Sequence, residues 1–140
     1  MALQKLLVAN RGEIAIRVAR AAADLGIATV SVHPADDAAS LHTRATDETH
    51  RLEGRGAAAY LDIEQLVAVA RHTGCDAVHP GYGFLAENPA FAAACEAAGL
   101  TFVGPTPAML ELFGDKVAAR ALAERCAVPV LAGTSGPTDL

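Results

Sequence analysis

Short apolar runs alternate with amphipathic stretches along the chain. The apolar runs predict strands of a buried sheet, and they lie at residues 4–10, 27–32, 77–79 and 100–103. The amphipathic stretches repeat their apolar residues every three or four positions and predict helices at residues 14–25, 63–72 and 88–98. Because strands and helices alternate, we predict a three-layer, Rossmann-like α/β domain with a mostly parallel sheet.

Small polar residues, prolines and glycines mark the ends of the predicted helices. Side chains suited to N-capping are Asp62, Asn88, Thr106 and Asp115. Glycines that can end a helix with positive φ are Gly26, Gly74 and Gly99. Less regular segments predict short helical turns within residues 36–46, a third strand at 48–53, a flexible loop at 54–56 and helices at 108–113 and 116–125. The caps and stops therefore agree with the periodic pattern.

The other predicted elements serve as a scaffold for one loop, at residues 76–89. A short strand runs into Pro80, and Gly81 and Gly83 permit positive φ on either side of Tyr82. This arrangement predicts that Tyr82 points outward. A strand, a glycine turn and a new helix form the ligand-facing edge of an open α/β sheet, so we expect a ligand to bind there.

Composition narrows the class of protein. The chain has 140 residues, of which 52% are hydrophobic, and this suits a single domain with a substantial core. A formal net charge of −5 without a basic cluster argues against nucleic acid, and no apolar run is long enough for a membrane span. The chain begins directly with a strand pattern, so no signal peptide and a cytoplasmic location are expected. Residues 1–130 form the predicted domain, and residues 131–140 have linker composition.

Three cysteines are widely spaced along the chain. Cys75, Cys95 and Cys126 fit neither a metal site nor a disulfide framework. Each lies in apolar context. We therefore predict that all three are small buried hydrophobic residues in a reducing compartment.

Three polar residues at the predicted sheet edge are candidates for ligand contacts: Asn10, Arg11 and His79. The loop containing Asn10 and Arg11 lies where Rossmann domains hold pyrophosphate, but it lacks the G-x-G-x-x-G pattern, and Glu13 would repel phosphate. A dinucleotide site is therefore not favoured. His79 ends its strand at the same edge; it is either a ligand or base, or a packed histidine, and the second role is the more common.

Three charged residues on helices have two interpretations each. Lys116 lies in the first turn of its helix, where a cation opposes the helix dipole. It is either an ordinary surface lysine or a phosphate contact. Arg20 and Asp24 have i,i+4 spacing with the cation first, the weaker order for an ion pair. They are either surface charges or contacts to a partner. These residues alone indicate only an α/β domain with a small-ligand edge.

Four motifs together resemble the N-terminal domain of biotin carboxylase. They are residues 8–17 (VANRGEIAIR), 79–88 (HPGYGFLAEN), 102–105 (FVGP) and 114–116 (GDK). The resemblance covers nearly the whole chain and implies an ATP-grasp ligase, here its pre-ATP-grasp domain. Such an enzyme uses ATP and Mg²⁺ to carboxylate carrier-bound biotin with bicarbonate. It works with a biotin carboxyl carrier domain and a carboxyltransferase.

The same resemblance suggests roles for individual residues. Lys116 matches a nucleotide-contacting lysine, and Tyr82 and Gly83 match the loop that lines the biotin and bicarbonate pocket. Arg20 and Asp24 match first-helix positions of a homodimer contact, although Asp is shorter than the commoner Glu. The family's catalytic base, catalytic arginine and metal carboxylates lie in downstream domains. We therefore expect no catalytic or metal-binding residue in this chain, no tightly bound cofactor and no activity from it alone.

Two other functions fit parts of the pattern. The N-terminal domain of another ATP-grasp ligase, such as carbamoyl-phosphate synthetase, shares a related form of residues 81–88 and 114–116. The opening residues 9–14 favour the biotin-dependent group. A non-catalytic assembly module of the same fold is the second alternative. The sequence does not specify the final acceptor of the carboxyl group.

Overall fold

The computed structural model describes residues 2–131, and within this range five strands alternate with helices. The strands are β1 (Lys5–Val8), β2 (Ala28–His33), β3 (Glu48–Arg51), β4 (Ala77–His79) and β5 (Thr101–Phe102). The helices are α1 (Gly12–Asp24), α2 (Gly56–Ala59), α3 (Ile63–His72), α4 (Pro89–Ala97), α5 (Pro107–Gly114) and α6 (Lys116–Arg125). Two 3-10 turns, Ala35–Asp37 and Leu41–Arg44, connect β2 to β3.

The five strands form one sheet in the order β3-β2-β1-β4-β5, and all four pairings are parallel. The prediction of an α/β domain is confirmed, and the sheet is wholly parallel. Central β1 pairs with both β2 and β4, so the loops that follow these strands leave the sheet at the same edge. The order of the sheet therefore brings the loop after β1 beside the loop after β4.

Alternate residues of β1 enter separate parts of the core. Leu7 faces the larger cluster, which includes side chains of α3, α4 and α5. Leu6 and Val8 face a smaller cluster that contains Ala15, Val18 and Ala22 of α1. The period of two along the strand thus distributes the apolar residues between the two faces, as the prediction of three layers requires.

The predicted helix caps are confirmed. The side chains of Asp62, Asn88, Thr106 and Asp115 each accept a hydrogen bond from a backbone N–H in the first turn of the helix that follows. Each bond satisfies a donor that has no partner within its helix. Gly26, Gly74 and Gly99 have φ of 69°, 70° and 75°, as expected for residues that end helices. The caps therefore set where α3, α4, α5 and α6 begin, and the glycines set where α1, α3 and α4 end.

Several boundaries differ from the predictions. Helix α1 begins at Gly12 rather than at residue 14, and Gly56, the last residue of the predicted loop at 54–56, begins the single helical turn α2. Strands β3 and β5 are shorter than predicted, at Glu48–Arg51 and Thr101–Phe102. The predicted linker at residues 131–140 lies almost entirely outside the described residues. Within residues 2–131, the helices are all too short or too polar to cross a membrane.

The prediction that all three cysteines are buried is wrong for Cys126. Cys75 and Cys95 are buried, whereas Cys126 is exposed at the end of α6. Helix α6 has no buried residue in the part of the chain that the structure describes. Apolar sequence context leads to burial only where another element packs against it, and no described element covers this position.

Candidate functional site

The loops after β1 and β4 meet at the carboxyl edge of the sheet. Asn10 follows β1, is only 2% exposed and donates from Nδ2 to the carbonyl oxygens of Pro80 and Tyr82, at 2.7 and 2.8 Å. Its Oδ1 accepts a 2.8 Å hydrogen bond from the backbone N–H of Arg11. Asn10 thus joins two loops that are 70 residues apart in sequence.

The glycine turn displays Tyr82 as predicted. Gly81 and Gly83 have φ of 67° and 65°, and Tyr82 between them is 62% exposed. A side chain at Gly81 would lie 2.7 Å from Asn10 Nδ2, whereas one at Gly83 would point into open space. Gly81 is therefore required by close packing as well as by its conformation. Gly83 leaves an open surface beside the tyrosine.

Phe84 anchors the far end of the turn. Its φ of 41° is unusual for a residue with a side chain, and its ring stacks on Tyr60 with 5.3 Å between the ring centroids. Tyr60 is buried, and its hydroxyl donates a 2.8 Å hydrogen bond to Oδ2 of Asp37. Residues after β1, β2 and β4 are therefore connected through one buried carboxylate.

The carboxylate of Asp37 stays ionised despite its burial. Burial raises its pKa, but hydrogen bonds from Ser40, Tyr60 and Arg11 outweigh this effect and lower the pKa to about 2. Arg11 contributes two contacts, Nη2 to Oδ1 at 2.8 Å and Nε to Oδ2 at 2.6 Å. The ion pair with Asp37 raises the pKa of Arg11, and burial beside the same carboxylate raises that of Tyr60. The pair holds the guanidinium at the edge of the sheet.

His79 has the geometry of a packed histidine. Its Nδ1 accepts a 2.9 Å hydrogen bond from the N–H of Gly81, which leaves the ring proton on Nε2. Burial lowers the pKa of His79, so the ring is neutral near pH 7. This geometry favours the structural interpretation over that of a base.

The remaining candidates lie on helix surfaces. Lys116 is exposed at the first position of α6, beside the capping carboxylate of Asp115. Arg20 and Asp24 are exposed on α1 and do not form an ion pair with each other; the pair on this helix is Glu13 with Arg17, in the favourable order. No hydrogen bond within residues 2–131 joins the side chain of Lys116, Arg20 or Asp24 to the glycine turn.

Three residues of this edge were missed in the sequence: Asp37, Tyr60 and Phe84. Their contacts join positions that are 23 and 24 residues apart, and neither spacing matches a local motif. Asp37 follows the carboxyl end of a predicted strand, which is the one signal that could have identified it.

The exposed groups at this edge suit an organic or phosphate-bearing ligand better than a metal ion. Within residues 2–131, no group of three or more His, Cys, Asp or Glu side chains could hold a metal ion. These residues therefore do not fit a magnesium site by themselves. The exposed Tyr82 ring, the open face of Gly83 and the exposed Lys116 can each contribute one contact to an organic or phosphate-bearing ligand.

Comparison with known proteins identifies the family. A sequence profile described as "Biotin carboxylase, N-terminal domain" matches residues 2–110. The chain belongs to this family. The match therefore favours the biotin-dependent carboxylases over carbamoyl-phosphate synthetase.

Individual relatives agree with this assignment. The chain is 49% identical to pyruvate carboxylase of Bacillus subtilis over 98% of its own length and 12% of the relative's. It is also similar to the biotin carboxylase domain of a single-chain bacterial carboxylase, at 56% identity and a TM-score of 0.93, over 98% of this chain and 32% of that one.

A third relative is the biotin carboxylase domain of a thermophilic 2-oxoglutarate carboxylase, whose structure holds bicarbonate. It matches at 43% identity and a TM-score of 0.94, over 97% of this chain and 31% of that one. The chain thus spans about 12% of the length of the curated carboxylases that it matches.

Proposed function

We propose that this domain forms one wall of the active site of an ATP-grasp biotin carboxylase, which carboxylates carrier-bound biotin with ATP, Mg²⁺ and bicarbonate. The proposal rests on the glycine turn, because hydrogen bonds to Asn10 and His79 hold the turn while it exposes the ring of Tyr82 and the open face of Gly83. An aromatic face beside an unobstructed backbone suits a flat ring such as the ureido ring of biotin. A biotin carboxylase domain of the same fold is known with bicarbonate bound.

Lys116 is the proposed nucleotide contact from this domain. Its exposed ammonium group lies at the start of α6, and it can donate to a phosphate oxygen. A cation here opposes the helix dipole, a cost that a bound phosphate would offset. The catalytic base, the catalytic arginine and the metal ligands are assigned to the downstream ATP-grasp domains, and no step of the reaction is assigned to residues 2–131.

The proposed partners follow from the same assignment. They are the downstream ATP-grasp domains, a biotin carboxyl carrier domain and a carboxyltransferase. The buried thiols Cys75 and Cys95 suit a reducing compartment, so the proposal includes the cytoplasm. Exposed Arg20 and Asp24 on α1 are the proposed contacts of a homodimer.

A chimera tests the catalytic role. Residues 1–131 would replace the matching segment of the Bacillus subtilis pyruvate carboxylase, and ATP cleavage would be measured with and without bicarbonate and biotin. We expect cleavage that depends on both, within about tenfold of the parent rate. A folded chimera of parental oligomeric state that cleaves no ATP would instead favour a non-catalytic assembly module.

The two lysines of the chain provide a matched pair of variants. Lys116→Ala should raise the KM for ATP at least tenfold, because a charge-assisted hydrogen bond to phosphate contributes about 1.5–3 kcal/mol. Lys5→Ala is the control, since Lys5 instead pairs with Glu48 at 2.7 Å on the strand side. An equal effect of both substitutions would contradict the role of Lys116.

Reversal of a charge tests the proposed dimer. Arg20→Glu places two acidic residues on the same turn of α1 and should weaken self-association of the chimera at least tenfold in sedimentation equilibrium. Arg125→Glu, on the last turn of α6, changes the net charge equally and is the control. Unchanged association of the Arg20 variant would rule out this surface.

A further inference from the structure

We propose that Asn10 is a positioning residue: it fixes the Tyr82–Gly83 turn in its binding conformation, through backbone hydrogen bonds rather than contact with a ligand. This inference rests on the proposed role of the turn. It assigns a task to a residue that the binding surface itself does not include, since Asn10 is only 2% exposed.

Both donor protons and the acceptor oxygen of the Asn10 side chain have hydrogen-bond partners. Both Nδ2 protons are directed at loop carbonyls, those of Pro80 at 2.7 Å and Tyr82 at 2.8 Å. Oδ1 accepts from the N–H of Arg11 at 2.8 Å. Two carbonyl oxygens and one N–H around a single amide also determine its orientation, because the reverse orientation would place oxygen against oxygen.

The carbonyls of Pro80 and Tyr82 flank Gly81, so Asn10 restrains the turn on both sides of that residue. The contact is close as well as polar, because a Cβ on Gly81 would lie 2.7 Å from Nδ2 and 3.1 Å from Ile14 Cγ1. His79 adds a bond from the strand side, accepting from the N–H of Gly81 at 2.9 Å. The backbone of the turn therefore cannot move away from β1 without breaking these hydrogen bonds, of which the one to Pro80 is buried.

The position of Tyr82 depends on these restraints. Its ring is exposed and its carbonyl is the atom that Asn10 holds. The hydrogen bond at 2.8 Å restrains the peptide plane between Tyr82 and Gly83, and with it the orientation of the Gly83 N–H and the position of the Tyr82 Cα that carries the ring. Displacement of this carbonyl by about 1 Å can cost a hundredfold in rate where a bound ring must be oriented.

The substitution Asn10→Asp tests the hydrogen bonds that Asn10 donates without changing the size of its side chain. Asn10→Asp keeps the size of the side chain and the acceptor for Arg11, but it replaces two donors by a carboxylate oxygen facing two carbonyls. Asn88, the only other asparagine, provides the control. Its Oδ1 accepts from the N–H of Phe91 at 3.1 Å, a bond that aspartate preserves.

The test has a structural and a catalytic measurement. Amide hydrogen exchange in the 140-residue chain should be at least tenfold faster at residues 81–84 in Asn10→Asp and unchanged in Asn88→Asp. In the active chimera, Asn10→Asp should raise the KM for free biotin at least tenfold, while the KM for ATP stays within twofold. A merely structural role would not separate these two constants.

The outcomes distinguish this inference from the function on which it rests. If the chimera without the Asn10 substitution is inactive, the proposed function is contradicted, and the exchange measurement alone tests the positioning role of Asn10. An active chimera in which Asn10→Asp leaves both exchange and the KM for biotin unchanged would overturn the inference alone.

A measurement on the unmodified chain covers the case in which Asn10→Asp does not fold. The Nδ2 protons of Asn10 should exchange at least a hundredfold more slowly than those of Asn88, because both are hydrogen-bonded to backbone carbonyls and Asn10 is almost fully buried. Equal exchange rates at the two side-chain amides would overturn the inference without any substitution.

Discussion

The hydroxyl of Tyr60 donates a 2.8 Å hydrogen bond to Oδ2 of Asp37, a carboxylate that also accepts from Arg11 and Ser40. This one buried acid connects the segments after β1, β2 and α2. Phe84 stacks on the same tyrosine, so the network extends to the glycine turn after β4. A buried network of hydrogen bonds therefore lies beneath the exposed surface of the candidate site.

The network should make stability depend on pH at the acidic end. The pKa of Asp37 is about 2 in the folded chain against 3.8 as its ordinary value. Because the folded pKa is lower, the stabilisation is complete above about pH 4 and is lost as the pH falls towards 2. The shift corresponds to about 2.5 kcal/mol, since one pKa unit is about 1.4 kcal/mol.

Asp37→Asn tests this estimate. Urea unfolding at pH 7 should show a loss of about 2.5 kcal/mol, and the difference from wild type should shrink between pH 4 and pH 2. Asp36→Asn is the control, because exposed Asp36 only accepts from the N–H of Gly56 and should change stability by less than about 0.5 kcal/mol. A difference that stays constant down to pH 2 would contradict the linkage.

Alanine substitutions at Gly81 and Gly83 should lower the free energy of unfolding by different amounts, although the two glycines have nearly the same φ. Gly83→Ala meets open space and should cost about 1 kcal/mol for the left-handed backbone. Gly81→Ala adds a clash with Asn10 and should cost about 3 kcal/mol in total. Denaturant unfolding of the two variants measures the difference, and equal costs would show that Asn10 can move aside.

The three thiols should react at different rates. Cys126 is exposed, whereas Cys75 and Cys95 are buried, and burial raises the pKa of Cys95 to about 11 and also raises that of Cys75. A thiol reagent at neutral pH should therefore label one cysteine per folded chain promptly and all three in denaturant. Cys126→Ser should abolish the fast reaction. A fast reaction that persists in this variant would show that α3 or α4 opens readily.

Local signals predicted the elements of this fold but not the contacts between them. Asp62 and Asn88 cap their helices as predicted, because a cap involves residues two or three positions apart. Asn10 meets Pro80 only because β1 lies between β2 and β4, and the order of strands cannot be deduced from periodicity. The burial of Cys126 was predicted wrongly from its apolar sequence context, because burial depends on an element that packs against the residue, and the context does not reveal one.

The 140-residue chain alone should fold and cleave no ATP. Phosphoryl transfer needs several cationic groups and metal ions arranged around the phosphates, and the proposed contribution of this domain is the single ammonium of Lys116. Phosphate release would be measured with ATP, Mg²⁺, bicarbonate and biotin, with the active chimera as positive control. Release above that of a heat-denatured sample would mean that these residues contain catalytic groups that the glycine turn and α6 do not explain.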